Sequence, residues 1–226
     1  MICDRPPPPW RGRRGRGECG AGRPVAGRPA RVRTLCGVFT PAYPITTSRL
    51  VLRPFTEADL DDLYAFHSLP EVTRYLYWDA RTREETKAAL DRKIACSSLG
   101  ADGDVLSVAA ALPDGGPVIG DLTLFLRSRE HRQGEIGFVF NPAYQGRGLA
   151  AEAARELLRI GFEGLGLHRV HGNCDARNTA SARLMERLGM RKEAHLVENE
   201  FFAGAWSDEL IYAMLAREWH AGAASA

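Results

Sequence analysis

The stretch Gln145-Gly146-Arg147-Gly148-Leu149-Ala150 decides the fold. Upstream of it, Gln133–Phe140 reads as a strand and Asn141-Pro142 turns the chain. Downstream, Ala150, Ala153, Ala154, Leu157 and Gly161 fall on one stripe, so a helix is expected over residues 147–162. Two glycines thus stand where a strand gives way to a helix. Glycine lets a ligand approach the backbone closely, and the first turn of a helix leaves its N–H groups unpaired. Those donors and the positive end of the helix dipole form an anion site suited to a pyrophosphate, to which Arg147 adds positive charge. Without a ligand, the same stretch is a glycine-rich helix start that costs stability unless the backbone geometry needs it.

Toward the N-terminus, residues 47–53 alternate as a strand that Pro54 ends, and Thr56-Glu57-Ala58-Asp59 opens a helix running to about His67. A second helix is expected over Arg83–Ala95, then strands over residues 105–112 and 118–126, joined by the turn Asp114-Gly115-Gly116. Toward the C-terminus come a strand over residues 168–174 and a helix opened by Asn178 and stopped by Gly189. Residues 190–202 and 208–215 close the chain as an antiparallel pair around Gly204. The expected fold is α/β: a mixed sheet with helices on its faces, without internal repeats.

The chain has 226 residues and 45% apolar content, which suits one domain, placed here at 43–220 with a short disordered tail over residues 221–226. Residues 1–42 are rich in Pro, Gly and Arg and bury too little apolar surface to fold, so they read as a disordered tail. An Arg-Gly tail can also bind RNA electrostatically, and a start codon placed too far upstream would look the same. Nine arginines against Asp4 and Glu18 give this tail +7; the whole chain carries +2, so residues 43–226 carry −5. The basic charge is not on a folded face, which argues against a nucleic-acid-binding fold. Absence of a long apolar run argues against membrane insertion and a secretory signal, so the cytoplasm is the expected location. The five cysteines form no Cys-x-x-Cys pair and read as reduced; Cys174 reads as a small buried hydrophobe. His168 and His171 point to opposite faces of a strand and cannot chelate one ion, so no metal is expected.

The glycine loop matches the (Gln/Arg)-x-x-Gly-x-(Gly/Ala) loop of GCN5-related N-acetyltransferases (GNAT). The chain further resembles the branch acetylating N-termini of ribosomal proteins, through Thr47-Ser48-Arg49-Leu50-Val51-Leu52-Arg53, Glu135-Ile136-Gly137-Phe138, Asn141-Pro142-Ala143-Tyr144-Gln145, Asn178-Thr179-Ala180-Ser181 and Arg187-Leu188-Gly189-Met190. The resemblance covers about residues 45 to 219. It implies a GNAT fold with a mixed, mostly antiparallel central sheet, acetyl-CoA as cosubstrate and an amine acceptor, either a protein N-terminus or a small molecule. It also implies that the loop residues Gln145, Gly146, Arg147, Gly148, Leu149 and Ala150 hold the cofactor phosphates. The backbone of Phe138, Val139 and Phe140, on a strand splayed from its neighbour, would hold the pantetheine arm. Homodimers are common in the family.

Many members carry a tyrosine as general acid in a Leu-Tyr-x-x-x-Gly-Phe stretch. Here the stretch is Leu184-Met185-Glu186-Arg187-Leu188-Gly189-Met190, and a thioether cannot donate a proton. In the ribosomal-type branch the resemblance implies Glu200 as base for the incoming amine and Ser181 as donor to the departing thiolate. Ser181 reads equally as a helix residue behind an Asn178 cap, Glu200 as an exposed strand residue, and Asn178 as a cap, a pantetheine ligand or both. Glu135 is the second candidate for the base, because it opens the strand leading to the loop. Tyr75, Tyr77, Trp78 and Trp206 are either groove-lining or packing aromatics.

Two other functions share these residues. Gly146-Arg147-Gly148-Leu149-Ala150-Ala151 also satisfies the Gly-x-Gly-x-x-Ala dinucleotide fingerprint of an oxidoreductase. That fingerprint needs its first glycine directly after a strand, and here the Asn-Pro turn intervenes. The missing tyrosine also fits a catalytically silent domain that binds acetyl-CoA as a sensor.

Overall fold

Leu106, Val108 and Ala110 pack into one apolar layer and Ala109 and Ala111 into another, so the run at residues 105–112 is apolar because the strand is covered on both faces. The computed structural model describes residues 37–202 and 204–223. Its strands are β1 (Ile45–Thr46), β2 (Val51–Arg53), β3 (Val105–Ala111), β4 (Val118–Ser128), β5 (Gln133–Phe140), β6 (Arg169–Asp175), β7 (Arg191–Phe202) and β8 (Ala205–Leu215). They form one sheet in the order β1-β2-β3-β4-β5-β6-β8-β7, in which β5 and β6 are parallel and every other pair antiparallel.

The helices are α1 (Leu60–His67), α2 (Pro70–Thr73), α3 (Arg83–Ala95), α4 (Leu149–Arg159), α5 (Thr179–Arg187) and α6 (Ala216–Ala223). Leu63 and Phe66 of α1 and Leu90 of α3 pack with Phe55 on one side of the sheet. Ala153, Ala154 and Leu157 of α4 and Leu184 and Met185 of α5 belong to the larger core cluster on the other. The α/β class with a mixed, mostly antiparallel sheet flanked by helices is therefore as expected. At the start of α3, Thr82 Oγ1 accepts from Glu85 N at 3.2 Å and the Glu85 carboxylate accepts from Thr82 N at 2.8 Å.

A buried charged cluster fastens α1 and α3 to β4, and nothing in the periodicity announced it. Lys93 Nζ lies 2.8 Å and His67 Nε2 3.3 Å from Asp121 Oδ2, while Arg81 Nη1 is 3.2 Å from His67 Nδ1. Burial alone would raise the Asp121 pKa, but Lys93 and His67 outweigh it and hold the carboxylate ionised. Burial lowers the pKa of His67, which favours the neutral ring.

Three expectations need correction. Residues 47–53 are not one strand: Thr47 N donates to Leu50 O at 2.9 Å and Leu50 N to Thr47 Oγ1 at 3.0 Å, so the chain turns there and β1 pairs back on β2. The alternation was real only from Val51 to Arg53, and residues 47–49 spend their polar groups elsewhere. The helix expected over residues 147–162 begins at Leu149 and ends its α-helical part at Arg159, with a π-helical turn over Ile160–Gly164. The chain also does not leave the fold at residue 220. Helix α6 continues to Ala223, held where Trp219 stacks on Phe162 at 5.7 Å and donates from Nε1 to Glu163 Oε1 at 2.8 Å.

The tail expected over residues 1–42 lies outside the described residues up to residue 36, as do residues 224–226 of the expected C-terminal tail. Ordered pairing begins before residue 43: Phe39 N donates to Leu99 O at 2.7 Å and Leu99 N to Phe39 O at 2.9 Å. Among the described residues no helix is long and apolar enough to cross a membrane.

Candidate active site

The parallel ladder between β5 and β6 has three rungs, Gln133–Arg169, Gly134–Val170 and Glu135–His171, and then stops. β5 continues to Phe140 with its other edge paired to β4 as far as Gly120, and β6 continues to Asp175 paired to β8. Ile136 to Phe140 therefore turn backbone N–H and C=O groups into a fork between two strands of one sheet. Because unpaired backbone polar groups inside a protein need partners, such an edge is an acceptor and donor rail for an extended amide-bearing ligand. A cleft of about 660 Å³ fills the fork.

Of the predicted cofactor residues, Phe138, Val139, Phe140, Gln145, Gly146, Gly148, Leu149, Ala150 and Asn178 all line this cleft. Gly146 and Gly148 both adopt φ +76°, in the left-handed region that side chains with a Cβ disfavour. A Cβ on Gly146 would meet nothing within 4 Å, so the space above the loop is open rather than filled by packing. Gly148 is the N-cap of α4 and has no side chain to cap it, which leaves the first-turn N–H groups to the cleft. A loop with these torsions and an open face fits the phosphates of a coenzyme A thioester.

Arg147 stands apart from the other loop residues. It does not line the cleft; its guanidinium lies 5.8 Å from the Tyr144 ring centroid and its carbonyl accepts from Arg49 Nη1 at 2.7 Å. Asn178 caps α5, its Oδ1 accepting from Ser181 N at 3.1 Å, and it also reaches the cleft, so both readings of this residue are compatible with its position. Ser181 lines the cleft one turn into the helix.

Glu200 is not in the main cleft but in a small adjoining recess that shares Tyr75 and Leu76 with it. The tyrosine hydroxyl of Tyr77 donates to Glu200 Oε2. β7 carries extra residues between the rungs Leu196–Glu209 and Glu200–Ser207, and Glu198 adopts φ +48° there. Glu198 N donates to Asp208 Oδ1 at 2.9 Å and Asn199 Nδ2 to Glu209 Oε2 at 2.8 Å, so the bulge that aims Glu200 is fixed from β8. Tyr75 reaches the cleft, whereas Trp78 packs on His67 at 4.8 Å and Trp206 pairs with Phe201 at 5.5 Å.

Glu135 occupies a different place from the one expected of a base. It sits on the last rung before the fork, buried, accepting from Arg127 Nε at 2.7 Å and lying 3.1 Å from His171 Nε2. Burial would raise its pKa, but His171 and Arg127 overcome this and hold it at about 2. A carboxylate so committed is a poor proton acceptor and acts as a clasp where the strands part. Asp175 makes a turn, accepting from Arg177 N at 2.8 Å. Burial pushes the Cys174 thiol up to about 12. Among the described residues no group of three or more His, Cys, Asp or Glu side chains could hold a metal ion.

Residue patterning gave Tyr77 as a groove or packing aromatic but not its bond to Glu200, and it missed the carboxylate of Glu152. The latter accepts from Thr47 Oγ1, Ser48 Oγ and Arg49 N at 2.6, 2.9 and 2.9 Å. The quoted stretch Thr47-Ser48-Arg49 carried that signal, but its partner lies more than a hundred residues away.

A forked mixed sheet with a glycine loop opening the helix beyond the fork defines an acyltransferase architecture. The family model of the acetyltransferase (GNAT) domain matches residues 49–191, and the chain belongs to that family. It is 35% identical over 176 residues to the uncharacterized N-acetyltransferase YnaD of Bacillus subtilis, covering 78% of this chain and 99% of that protein. YdaF of the same organism, whose name points to ribosomal N-acetyltransferase activity, is 29% identical over 116 residues, covering 51% of this chain and 63% of YdaF. Among solved structures, the GNAT-family acetyltransferase from Bacillus anthracis superposes with a TM-score of 0.67 at 30% identity, over 79% of this chain and 99% of that one. The protein is an acyltransferase of GNAT type.

Proposed function

We propose that the chain transfers acetyl from acetyl-CoA to a primary amine, of a protein N-terminus or a small molecule, by direct attack. The observation that carries this reading is the continuity of one cleft from the open edge of Ile136–Phe140 to the loop at Gly146 and Gly148. Acetyl-CoA would supply the activated thioester. The first-turn N–H groups of α4 would hold its phosphates, and the β5 backbone, with Asn178, would hold the amides of its arm. Glu200, hydrogen-bonded by Tyr77 and next to the cleft, is the group we assign to take a proton from the amine. Ser181, inside the cleft, is assigned to give a proton to the departing thiolate. The amine nitrogen forms the new C–N bond as the C–S bond breaks, and the serine proton is restored from solvent. Cys174, which follows the cleft-lining Asn173, is fully buried with a raised pKa, which disfavours it as the bearer of a covalent acetyl intermediate.

The test is release of free thiol from acetyl-CoA with and without a panel of amines that includes peptides with free N-termini and small polyamines. Amine-dependent release supports transfer. Acetyl-CoA binding with no amine dependence would instead favour the silent, sensing domain that the Met185 substitution for tyrosine allows.

A further inference from the structure

We propose that Arg49 and Glu152 are positioning residues for the phosphate loop: they brace its back so that its N–H groups, and not the Arg147 carbonyl, face the bound pyrophosphate. The proposal rests on the reading of the loop given above and adds two residues that lie outside the cleft.

The brace is built from the hairpin turn between β1 and β2. Thr47 Oγ1, Ser48 Oγ and Arg49 N all donate to Glu152 Oε1, and Arg49 Nε donates to Glu152 Oε2 at 2.7 Å. Arg49 Nη2 is also 2.7 Å from that oxygen. The remaining arm of the same guanidinium, Nη1, donates to the carbonyl of Arg147 at 2.7 Å, between the two left-handed glycines. Arg49 passes directly behind the helix cap, since a Cβ on Gly148 would lie 3.5 Å from Nη2. One planar fork therefore ties the first turn of α4 to the loop that precedes it.

This geometry has two electrostatic consequences. An acidic side chain in the first turn favours the helix dipole but repels a phosphate bound at the same end. Here four hydrogen-bond donors and a full positive charge occupy the Glu152 carboxylate, so the pair is close to neutral toward the cleft. A carbonyl oxygen aimed into an anion cradle would also repel the ligand, and Arg49 holds that of Arg147 on the side away from it. None of Arg49, Arg147 and Glu152 lines the cleft, which separates bracing from direct contact. Lysine cannot replace the fork, because one ammonium cannot span the carboxylate and the carbonyl with the same planarity.

The test compares the full chain with Arg49→Ala, Arg49→Lys and Glu152→Gln, using two acetyl donors: acetyl-CoA and S-acetylpantetheine, which lacks the pyrophosphate. Both Arg49 variants should weaken acetyl-CoA, read as KM and by calorimetry, on the order of tenfold, as expected for losing a charge-assisted hydrogen bond. kcat, and the rate with S-acetylpantetheine, should stay unchanged. Glu152→Gln should weaken acetyl-CoA less than Arg49→Ala, because it leaves no uncompensated carboxylate. Unchanged acetyl-CoA affinity in the Arg49 variants overturns the brace. Equal losses on both donors overturn it too, by showing general damage to the fold. Thermal unfolding of each variant identifies any that does not fold, and Arg49→Lys, which keeps the charge, then carries the test. A wild-type chain that binds no acetyl-CoA overturns the loop reading itself, a result distinct from failure of the brace.

Discussion

Glu200, proposed above to take the proton of the amine, is held by Tyr77 beside the cleft without deep burial. Tyr77 supplies a donor to one oxygen, and the bulge at Glu198 turns the side chain toward the recess beside the cleft. Glu200→Gln should lower turnover by roughly 10²–10⁴-fold with acetyl-CoA affinity intact, whereas a loss below about threefold would remove Glu200 from the base role. Glu135 behaves differently. Its pKa of about 2 lies below the ordinary value of 4.5, so between those limits the unfolded chain binds more protons than the folded one. Its contribution, on the order of 3 kcal/mol, is fully present above about pH 4.5 and lost as pH falls toward 2. Urea unfolding of wild type and Glu135→Gln across that range should show a shallower pH slope in the variant. The types of these residues were legible in the sequence, and their partners were not. The sequence put Glu135 at the opening of the strand that leads to the loop, but only the sheet order brings Arg127 and His171 to it.

At the scale of elements, the strand-to-helix transition at Phe140 to Leu149 was readable because its chemistry is local. Turn residues, two glycines and an apolar stripe each act within a few positions of one another. Gly148→Val should abolish acetyl-CoA binding while leaving far-UV circular dichroism unchanged, because a β-branched residue at φ +76° must distort the loop. Unchanged affinity would mean that the loop does not hold the cofactor. The hairpin at residues 47–50 and helix α6 were missed for the opposite reason. The hairpin is closed by Glu152 on a distant helix, and α6 is held by Trp219 against Phe162 and Glu163. Trp219→Ala should lower stability by roughly 1–3 kcal/mol in denaturant unfolding and leave acetyl transfer at saturating substrate unaffected.

For the whole molecule, the central claim is that the sheet, eight-stranded among the described residues, parts between its parallel neighbours β5 and β6 and that the fork is a coenzyme A site. The dinucleotide fingerprint shared by Gly146 to Ala151 competes for the same residues, but the sheet around it is mostly antiparallel and, among the described residues, offers no repeated parallel βαβ unit. The most direct measurement is calorimetric titration of the full chain with acetyl-CoA and, separately, with NADPH. Saturable micromolar binding of acetyl-CoA with no heat from NADPH is the predicted result. Failure of acetyl-CoA to bind would contradict the account and return the glycine loop to a structural turn.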